Sequence, residues 1–494
     1  MRDSLFHLRR QANISIQVQI RQMLVSAILE GQLPGGEPLP SCRQMAKTLK
    51  VSRNTVVLAY QGLVDDGYLT SRERSGFYVS PEIQDDRPKS PALKPVSDTE
   101  DMAEPANAPD WEKIFRVRPS RQHNILKPAD WKSYPYPFIY GQVDHTLFPI
   151  AAWRECSRQA QGTKAMESWT CDAHGEDDPL LIEQIRTRLL PRRGVMASND
   201  EILITMGAQN ALYMLTSLLI GDKSTIAIED PGYPDMRNIF SLKTTRLKPI
   251  PVDGEGMVVD GRLSDVNMVY VTPSHQFPTT ATMSMARRQQ LLGMAVEKDF
   301  LIIEDDYEPE ASYIREPTPA LKSLDRNGRV IYVGSMSKTM FPGLRLGYMV
   351  GPSELIAEAR AIRRLMYRHS PTNNQRTTAL FMSLGHHDAL VHRLHRAYRA
   401  RWERLGDSLN RHLPDSATAP SIGGTSFWVC GPEGLDADRL AERARDEGLI
   451  IEPGRVHFIS DKAPANYFRL GFSSISIEQI EPGIRLLAKL IHGR

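Results

Sequence analysis

A lysine, two serines and an arginine follow an apolar run at residues 330–333 that predicts a buried strand. The amine of Lys338 could form a Schiff base with an aldehyde. The hydroxyls of Ser335 and Ser337 and the guanidinium of Arg345 could bind a phosphate. Pyridoxal 5'-phosphate carries both groups, so the spacing favours a site for this cofactor. A loop lysine on its own is more often a solvated charge, and the assignment therefore depends on the rest of the chain.

Strands and helices are predicted to alternate along the large C-terminal part of the chain and would hold these residues in place. Continuous apolar strands separated by helices are typical of a mainly parallel sheet that is covered on both faces. Ligands of such sheets lie beyond the carboxyl ends of the strands. Further strands are predicted at residues 201–205, 224–228, 267–272 and 300–304, and a helix at residues 208–219.

The predicted strand ends carry side chains that would complete a cofactor site. A glycine-led helix begins at Ala208 and Gln209 and could offer backbone N–H groups to a phosphate. Tyr233 could stack on an aromatic ring. Asp305 and Tyr307 are two residues apart, so in an extended chain they face the same way. An aspartate could keep a pyridine nitrogen protonated, and a tyrosine hydroxyl could meet the ring oxygen.

The composition is that of a globular protein with two or three domains. The chain has 494 residues, 41% of them hydrophobic and 24% charged, and a net charge of +2. Its four cysteines form no C-x-x-C pair, which favours a reducing compartment and argues against a disulfide framework or a structural zinc site. No signal peptide and no membrane-spanning run is apparent, so we expect a cytoplasmic protein without a metal site.

The first eighty residues predict three helices in a helix-turn-helix arrangement. An amphipathic helix at residues 14–30 is followed by a second helix that Ser41 caps, and Ser52 caps a third helix at residues 53–66. The second helix of such a motif enters the DNA major groove with its N-terminal residues. Here these residues are Arg53, Asn54 and Thr55, all able to reach bases or phosphates.

Two short strands at residues 69–72 and 76–79 then predict a wing with Arg72 and Arg74 near its tip. A helical protein-interaction module with a basic face is the alternative. The stretch nevertheless resembles the GntR-type winged helix-turn-helix in L-P-S-x-R, V-S-R-N-T-V, G-Y-L and G-F-Y-V. The resemblance implies that four residues contact double-stranded DNA, namely Arg43, Ser52, Arg53 and Thr55.

Residues 81–110 predict a flexible linker without helix, because proline and polar residues dominate and apolar residues are too sparse to form a core. The predicted organisation is a DNA-binding domain at 1–80, this linker, and a large domain at 111–494.

The large domain resembles the fold-type I, aspartate-aminotransferase-like proteins that bind pyridoxal phosphate, and the whole chain resembles MocR-type transcriptional regulators. The motifs are G-A-Q at 207–209, D-P-G-Y at 230–233, T-P-S-H-Q-F-P-T at 272–279, E-D-D-Y at 304–307, S-x-S-K-T at 335–339 and G-L-R-L-G at 343–347. The resemblance implies a multidomain protein with an α/β aminotransferase-like domain, a small C-terminal α+β subdomain, and a homodimer formed by the large domains.

The same resemblance implies a role for each of several residues. Lys338 would form the internal aldimine, Asp305 would pair with the pyridinium nitrogen, and Tyr307 would bond the ring oxygen. Tyr233 would stack on the ring, and Arg469 would receive an effector carboxylate through a bidentate bridge. The phosphate would lie among Ala208, Gln209, Ser335, Ser337 and Arg345.

Two residues depart from the aminotransferase pattern. Phe277 stands where working aminotransferases usually carry an asparagine, and Thr280 stands where a glycine normally follows. We therefore expect that the large domain senses its ligand rather than converting it in repeated catalytic turnovers.

The predicted function is a transcription regulator that detects an amino compound through its aldimine with the cofactor and controls a catabolic or transport operon. Amino acids or relatives such as taurine, a GABA-like acid or an ectoine breakdown product are all compatible with Arg469. One alternative is an active aminotransferase with an accessory DNA-binding domain. Another is a DNA-binding protein whose large domain is a dimerisation scaffold without cofactor.

Overall fold

The computed structural model describes residues 6, 8, 14–73, 75–85, 108–167, 169–170, 172, 175–416, 423–460 and 463–493. The chain divides into two compact units, residues 1–111 and 112–494. The first unit has a core of its own, built around the fully buried Ile20, Val56 and Tyr60. The cores of the second unit lie on the two faces of a large sheet.

The first unit contains the predicted three helices and two-stranded wing. The side chain of Ser41 accepts a hydrogen bond from the backbone N–H of Gln44 at 3.2 Å, and that of Ser52 accepts one from Thr55 at 3.1 Å. Both predicted caps are thus confirmed, because each satisfies an N–H group that the first helical turn leaves free. The elements are α1 (Ile16–Leu29), α2 (Cys42–Leu49), α3 (Arg53–Asp65), β1 (Leu69–Arg72), β2 (Gly76–Val79) and α4 (Glu82–Asp85).

Tyr60 joins the recognition helix α3 to the wing. Its ring packs edge-to-face on Phe77 at 5.1 Å, and its hydroxyl donates to the backbone oxygen of Pro40 at 3.0 Å. The prediction of no helix after the wing was wrong at Glu82–Asp85, where the chain forms one further helical turn. Residues 86–107 of the predicted linker, and Arg74 of the wing, lie outside the described residues.

The second unit alternates strands and helices as the sequence predicted. Its helices are α5 (Trp111–Ile114), which starts at the boundary residue, α6 (Ile150–Ala160), α7 (Thr163–Met166), α8 (Pro179–Gln184), α9 (Leu190–Arg192), α10 (Ala208–Leu219), α11 (Pro234–Ser241), α12 (Met285–Glu297), α13 (Leu321–Leu324), α14 (Ser353–Tyr367), α15 (Thr372–Ser383), α16 (His386–His412), α17 (Ala437–Asp446) and α18 (Ile477–His492). Its strands are β3 (Tyr136–Pro137), β4 (Ile202–Thr205), β5 (Ile226–Asp230), β6 (Leu247–Asp253), β7 (Gly256–Met257), β8 (Met268–Val271), β9 (Leu301–Asp306), β10 (Val330–Ser335), β11 (Gly347–Val350), β12 (Ser426–Cys430), β13 (Leu449–Ile450), β14 (Glu452–Pro453) and β15 (Tyr467–Gly471).

Within the described residues, the central sheet has eight strands in the order β4-β11-β10-β9-β8-β5-β6-β7. Strand β11 runs antiparallel to both of its neighbours, β7 runs antiparallel to β6, and the other pairs are parallel. The mainly parallel sheet is therefore confirmed. Two strands extend further than predicted, so Glu229 and Asp305 lie inside strands and not after them.

The acidic run at the end of β9 is divided between the two faces of the sheet, as strand alternation requires. Asp306 pairs with Arg193, whose Nε lies 2.7 Å from Asp306 Oδ2, and Glu304 accepts a 2.7 Å hydrogen bond from the backbone of Leu321. These two buried carboxylates thus have structural partners. Asp305 points the other way, and this face carries the candidate site.

A smaller three-stranded sheet, β12-β15-β14, forms the C-terminal α+β part among the described residues. Arg469 lies on its central strand β15, which runs antiparallel to β12 and β14. None of the helices in the described part is long and apolar enough to cross a membrane.

Candidate cofactor and DNA-contact sites

A cavity of about 620 Å³ opens at the carboxyl ends of the central strands. The residues that the sequence predicted to bind the cofactor all line it. They are Ala208, Gln209, Tyr233, Asp305, Tyr307, Ser335, Ser337, Lys338 and Arg345. The strand order brings these side chains together, because parallel strands deliver their carboxyl ends to one edge of the sheet.

One end of the cavity has the character of a phosphate site. Helix α10 begins at Ala208, and no side chain of the described residues caps its first turn. Gly207 has a φ of +84°, and a Cβ added at Gly347 would lie only 2.9 Å from the backbone nitrogen of Ala208. Arg345 reaches the same end, where its Nη2 donates to the oxygen of Met206 at 2.8 Å. Free N–H groups and a guanidinium together suit a dianionic phosphate.

Asp305 lines the cavity with one carboxylate oxygen hydrogen-bonded and the other without a partner among the described residues. Its Oδ2 accepts a hydrogen bond from the hydroxyl of Tyr270 at 2.7 Å. Its buried Oδ1 has no hydrogen-bond partner among the described residues. Burial, the largest influence, raises the pKa of this carboxyl to about 7. A protonated pyridine nitrogen would supply the missing partner and charge, so the residues fit the ring of pyridoxal phosphate.

Lys338 is half-buried, and its Nζ lies 4.4 Å from the ring centroid of Tyr140. Burial lowers the pKa of Lys338 to about 8, and the positive charge of Lys127 acts in the same direction. A lowered pKa increases the neutral fraction of the amine, which is the nucleophilic form. Gly141, with a φ of +73°, leaves room for this amine, because an added Cβ would lie 2.5 Å from Lys338 Nζ.

Phe277 brings an apolar ring into the cavity wall. It packs edge-to-face on Tyr233 at 5.1 Å and on Tyr307 at 5.6 Å. The neighbouring Gln276 does not replace the asparagine of aminotransferases, since its Nε2 donates to the oxygen of Pro231 at 2.9 Å instead. The loop keeps a left-handed turn at Thr280, with a φ of +63°, although such a backbone favours glycine.

Arg469 is buried behind the cavity wall, unlike the predicted cofactor-binding residues, which line the cavity. Its side chain is 1% exposed and its Nη2 forms an ion pair with Glu452. The rings of Tyr140 and Phe277 lie 3.7 Å and 4.2 Å from the guanidinium carbon. Both rings line the cavity, whereas Arg469 is not among the lining residues.

Several lining residues were not predicted from the sequence. Lys127, Tyr140 and Gly141 belong to the chain that precedes the first strand of the central sheet, and Tyr270 is the hydroxyl partner of Asp305. Tyr140 ends a short apolar run, 138–140, which was the one available signal. Lys127 lies in a stretch without any periodic pattern.

The predicted DNA-contact residues lie at the start of α3 and on α2. The side chains of Arg43, Ser52, Arg53 and Asn54 are exposed, and Thr55 is half-buried. Ser52 and Thr55 also bond each other, with 2.8 Å between their hydroxyl oxygens. The two arginines and Asn54 are therefore free to meet a ligand, while Ser52 and Thr55 also serve the helix cap.

The two parts of the chain match two known families. Residues 16–79 match the gntR family of bacterial regulatory proteins, and residues 143–487 match the aminotransferase class I and II family. The chain is 42% identical over 477 residues to the HTH-type transcriptional regulator TauR of Rhodobacter capsulatus, which covers 97% of this chain and 96% of that protein. It is 29% identical over 489 residues to the probable rhizopine catabolism regulatory protein MocR of Rhizobium meliloti, covering 97% and 94%.

The large unit also resembles solved aminotransferases. The α-aminoadipate aminotransferase LysN of Thermus thermophilus, solved with N-(5'-phosphopyridoxyl)-L-leucine, superposes with a TM-score of 0.69 at 26% identity. The match covers 78% of this chain and 98% of that one.

Fold and site together define a DNA-binding regulator with an aminotransferase-like domain, for which the family and the neighbouring structures imply pyridoxal 5'-phosphate as cofactor. The chain belongs to the MocR-type transcriptional regulators, which join a gntR-family domain to an aminotransferase class I and II domain.

Proposed function

We propose that this regulator binds its DNA operator as a homodimer and that an amino compound, reacting in the cavity of the large unit, changes DNA binding. The observation that carries the proposal is the amine of Lys338, which lies with a lowered pKa in a cavity lined by cofactor-binding side chains. A covalent sensor needs such an amine, because the neutral form must exchange with the amine of an effector. Control of a catabolic or transport operon, and a cytoplasmic location beside the chromosome, are part of this proposal.

Each cavity residue would have a distinct task. Pyridoxal phosphate, when bound, supplies an aldehyde that bonds reversibly to amines. Lys338 would hold this aldehyde until an effector amine takes its place. Asp305 would keep the pyridine nitrogen protonated, Tyr307 would face the ring oxygen, and Tyr233 would pack on the ring. The start of α10, the serines of the β10 end and Arg345 would hold the phosphate.

Sensing is favoured over sustained turnover by the wall residue Phe277. Its ring contacts Tyr233 and Tyr307, and it offers no hydrogen bond where aminotransferases use an amide. The loss of one directed hydrogen bond in a catalytic site can cost about 100-fold or more in rate. Aldehyde exchange does not need this contact, since Lys338 and the ring-binding residues suffice for it.

The active aminotransferase remains the second candidate, favoured by the close superposition on solved aminotransferases. One experiment separates the two. The purified protein is titrated with amines and amino acids while its visible absorption and its affinity for operator DNA are recorded. A sensor should show a spectral shift and a parallel change in DNA affinity at the same effector concentration. Rapid multiple-turnover conversion of that effector in the presence of a keto acid would identify an enzyme instead.

A further inference from the structure

Glu308 is a buried carboxylate just after strand β9 that has no place in the predicted cofactor site. Its Oε1 accepts a hydrogen bond from the hydroxyl of Tyr140 at 3.1 Å and another from the hydroxyl of Thr425 at 2.5 Å. Among the described residues, no nitrogen of a lysine, arginine or histidine lies within 4.0 Å of its carboxylate oxygens. A buried carboxylate without an ion pair is costly, since two hydroxyls replace only part of its hydration. Packing alone therefore does not explain a charged side chain at this position.

The ring of Tyr140 connects Glu308 to the cations of the cavity. The centroid of this ring lies 4.4 Å from the Nζ of Lys338, 5.6 Å from the Nζ of Lys127 and 3.7 Å from the Cζ of Arg469. Burial, the largest influence, and the charge of Glu308 raise the pKa of the Tyr140 hydroxyl well above its usual value. The hydroxyl therefore stays protonated and donates to Glu308.

Glu308 also lies next to the reactive lysine. Both side chains line a second cavity of about 20 Å³. Lys338 lines the cofactor cavity as well, so it forms part of the wall between the two cavities. Burial and then the charge of Lys127 lower the pKa of Lys338, and Glu308 is the strongest of the groups that oppose them.

The other carboxylates near the two lysines are already engaged. Glu452 forms an ion pair with Arg469. Asp305, whose pKa burial raises to about 7, holds its proton for part of the time near neutral pH. Glu308 is therefore the carboxylate whose charge is left to balance the lysines.

The remaining titratable groups around this cluster are neutral or have partners of their own. Glu310, which lines the small cavity too, accepts a hydrogen bond from Thr339 at 2.7 Å and lies 3.8 Å from His387 Nε2. Burial lowers the pKa of two histidines and raises that of three tyrosines, so that all five are mainly neutral at pH 7, namely His275, His457, Tyr307, Tyr313 and Tyr398.

We propose that Glu308 is a positioning residue of the amine site, which holds the Tyr140 ring and favours a positive charge on the nitrogen at the Lys338 position. The inference rests on the proposed function, because it concerns the amine that this function uses. A primary amine arrives mainly as an ammonium ion at neutral pH, and the cations around the ring would repel it. The carboxylate of Glu308 offsets this repulsion, so that a cationic amine can approach Lys338.

The test compares Glu308→Gln, which removes the charge and keeps the shape, with Glu308→Asp, which keeps the charge. Glu316→Gln removes an exposed carboxylate from the same stretch between β9 and α13 and serves as the control. On the cofactor-free proteins, competitive acetylation as a function of pH, followed by peptide mapping, measures the pKa of Lys338. On the cofactor-loaded proteins, visible absorption as a function of pH follows protonation of the nitrogen that Lys338 contributes.

Loss of the charge in Glu308→Gln should lower both pH midpoints by about 1 pH unit, because a nearby opposite charge favours the charged form of an amine. Glu308→Asp should remain closer to the wild type than to Glu308→Gln, and Glu316→Gln should match the wild type. Tyr140→Phe removes the hydrogen bond but not the charge, so it should shift the midpoints less than Glu308→Gln. Unchanged midpoints in Glu308→Gln, or equal shifts in Glu308→Gln and Glu308→Asp, would overturn the proposal.

Thermal unfolding checks that each variant is folded. If Glu308→Gln does not fold, Glu308→Asn and Glu308→Asp make the same comparison at equal side-chain length. Neither midpoint requires an effector, so the proposal and the proposed function can fail separately. Lowered midpoints in proteins whose spectrum no amine changes would support the role of Glu308 and refute sensing. A spectral response to amines with unshifted midpoints would do the reverse.

Discussion

Asp305 provides the sharpest quantitative prediction, because its carboxyl is buried with one unpartnered oxygen. Burial raises its pKa from 3.8 to about 7 in the folded protein. The folded state therefore holds this proton over a pH range in which the unfolded chain has released it. Stability should then fall as pH rises from about 4 to 7, by about 1.36 kcal/mol per pH unit and about 4 kcal/mol in total. Roughly 3 kcal/mol of this loss should fall between pH 5 and 8.

Asp305→Asn removes the titrating group, so the cofactor-free variant should lack this part of the pH dependence. The assay is urea-induced unfolding of the cofactor-free protein at pH 5 and pH 8, comparing the change in unfolding free energy between wild type and variant. Asp222→Asn, at an exposed position, controls for the loss of one carboxylate. With cofactor bound, the wild type should instead be the more stable protein at pH 8, because the variant loses a charge-assisted hydrogen bond to the cofactor. That bond is worth about 1.5–3 kcal/mol, or about 10-fold to 100-fold in cofactor affinity. Identical pH dependence in wild type and Asp305→Asn would refute the burial argument.

Three further predictions follow from the other site residues. Borohydride reduction and peptide mapping should label Lys338, and Lys338→Ala should lose covalent cofactor; a label on the neighbouring Lys127 would instead show that the wrong amine was assigned. Gly141→Ala should slow covalent capture of the cofactor, which visible absorption measures, and should destabilise the fold by about 1–3 kcal/mol. Both effects are expected because the position has a φ of +73° and a new Cβ would crowd the Lys338 amine. A capture rate equal to that of the wild type would contradict this prediction. Arg53→Ala should weaken operator binding and reduce its salt dependence by about one phosphate contact, without altering the cofactor spectrum. Ser52→Ala should weaken operator binding too, and it should also cost about 1 kcal/mol of stability through the lost helix cap, which thermal unfolding would detect.

The cavity residues of the central sheet could be predicted because local patterns determine their positions. Apolar strands identify the sheet, and the parallel arrangement brings Tyr233, Asp305 and Lys338 to one edge. The pairing of Arg469 with Glu452 could not be predicted, because it depends on the register of β14, a strand of only two residues. Lys127 was missed for a related reason, because a tertiary contact with the backbone oxygen of Tyr140 holds its side chain and no periodic pattern marks its segment.

The cavity wall is formed by two different parts of the large unit. The cofactor side belongs to strands and helix starts of the buried sheet, whereas Lys127, Tyr140 and Gly141 come from a connecting segment outside that sheet. Within this segment Lys127 is exposed, whereas Tyr140 and Gly141 are buried. Substitutions at exposed positions of connecting segments are tolerated more readily than substitutions in a core. The exposed positions of the connecting segment are therefore where the chemistry of the cavity could change at the lowest cost in stability, while the sheet preserves the reactive centre.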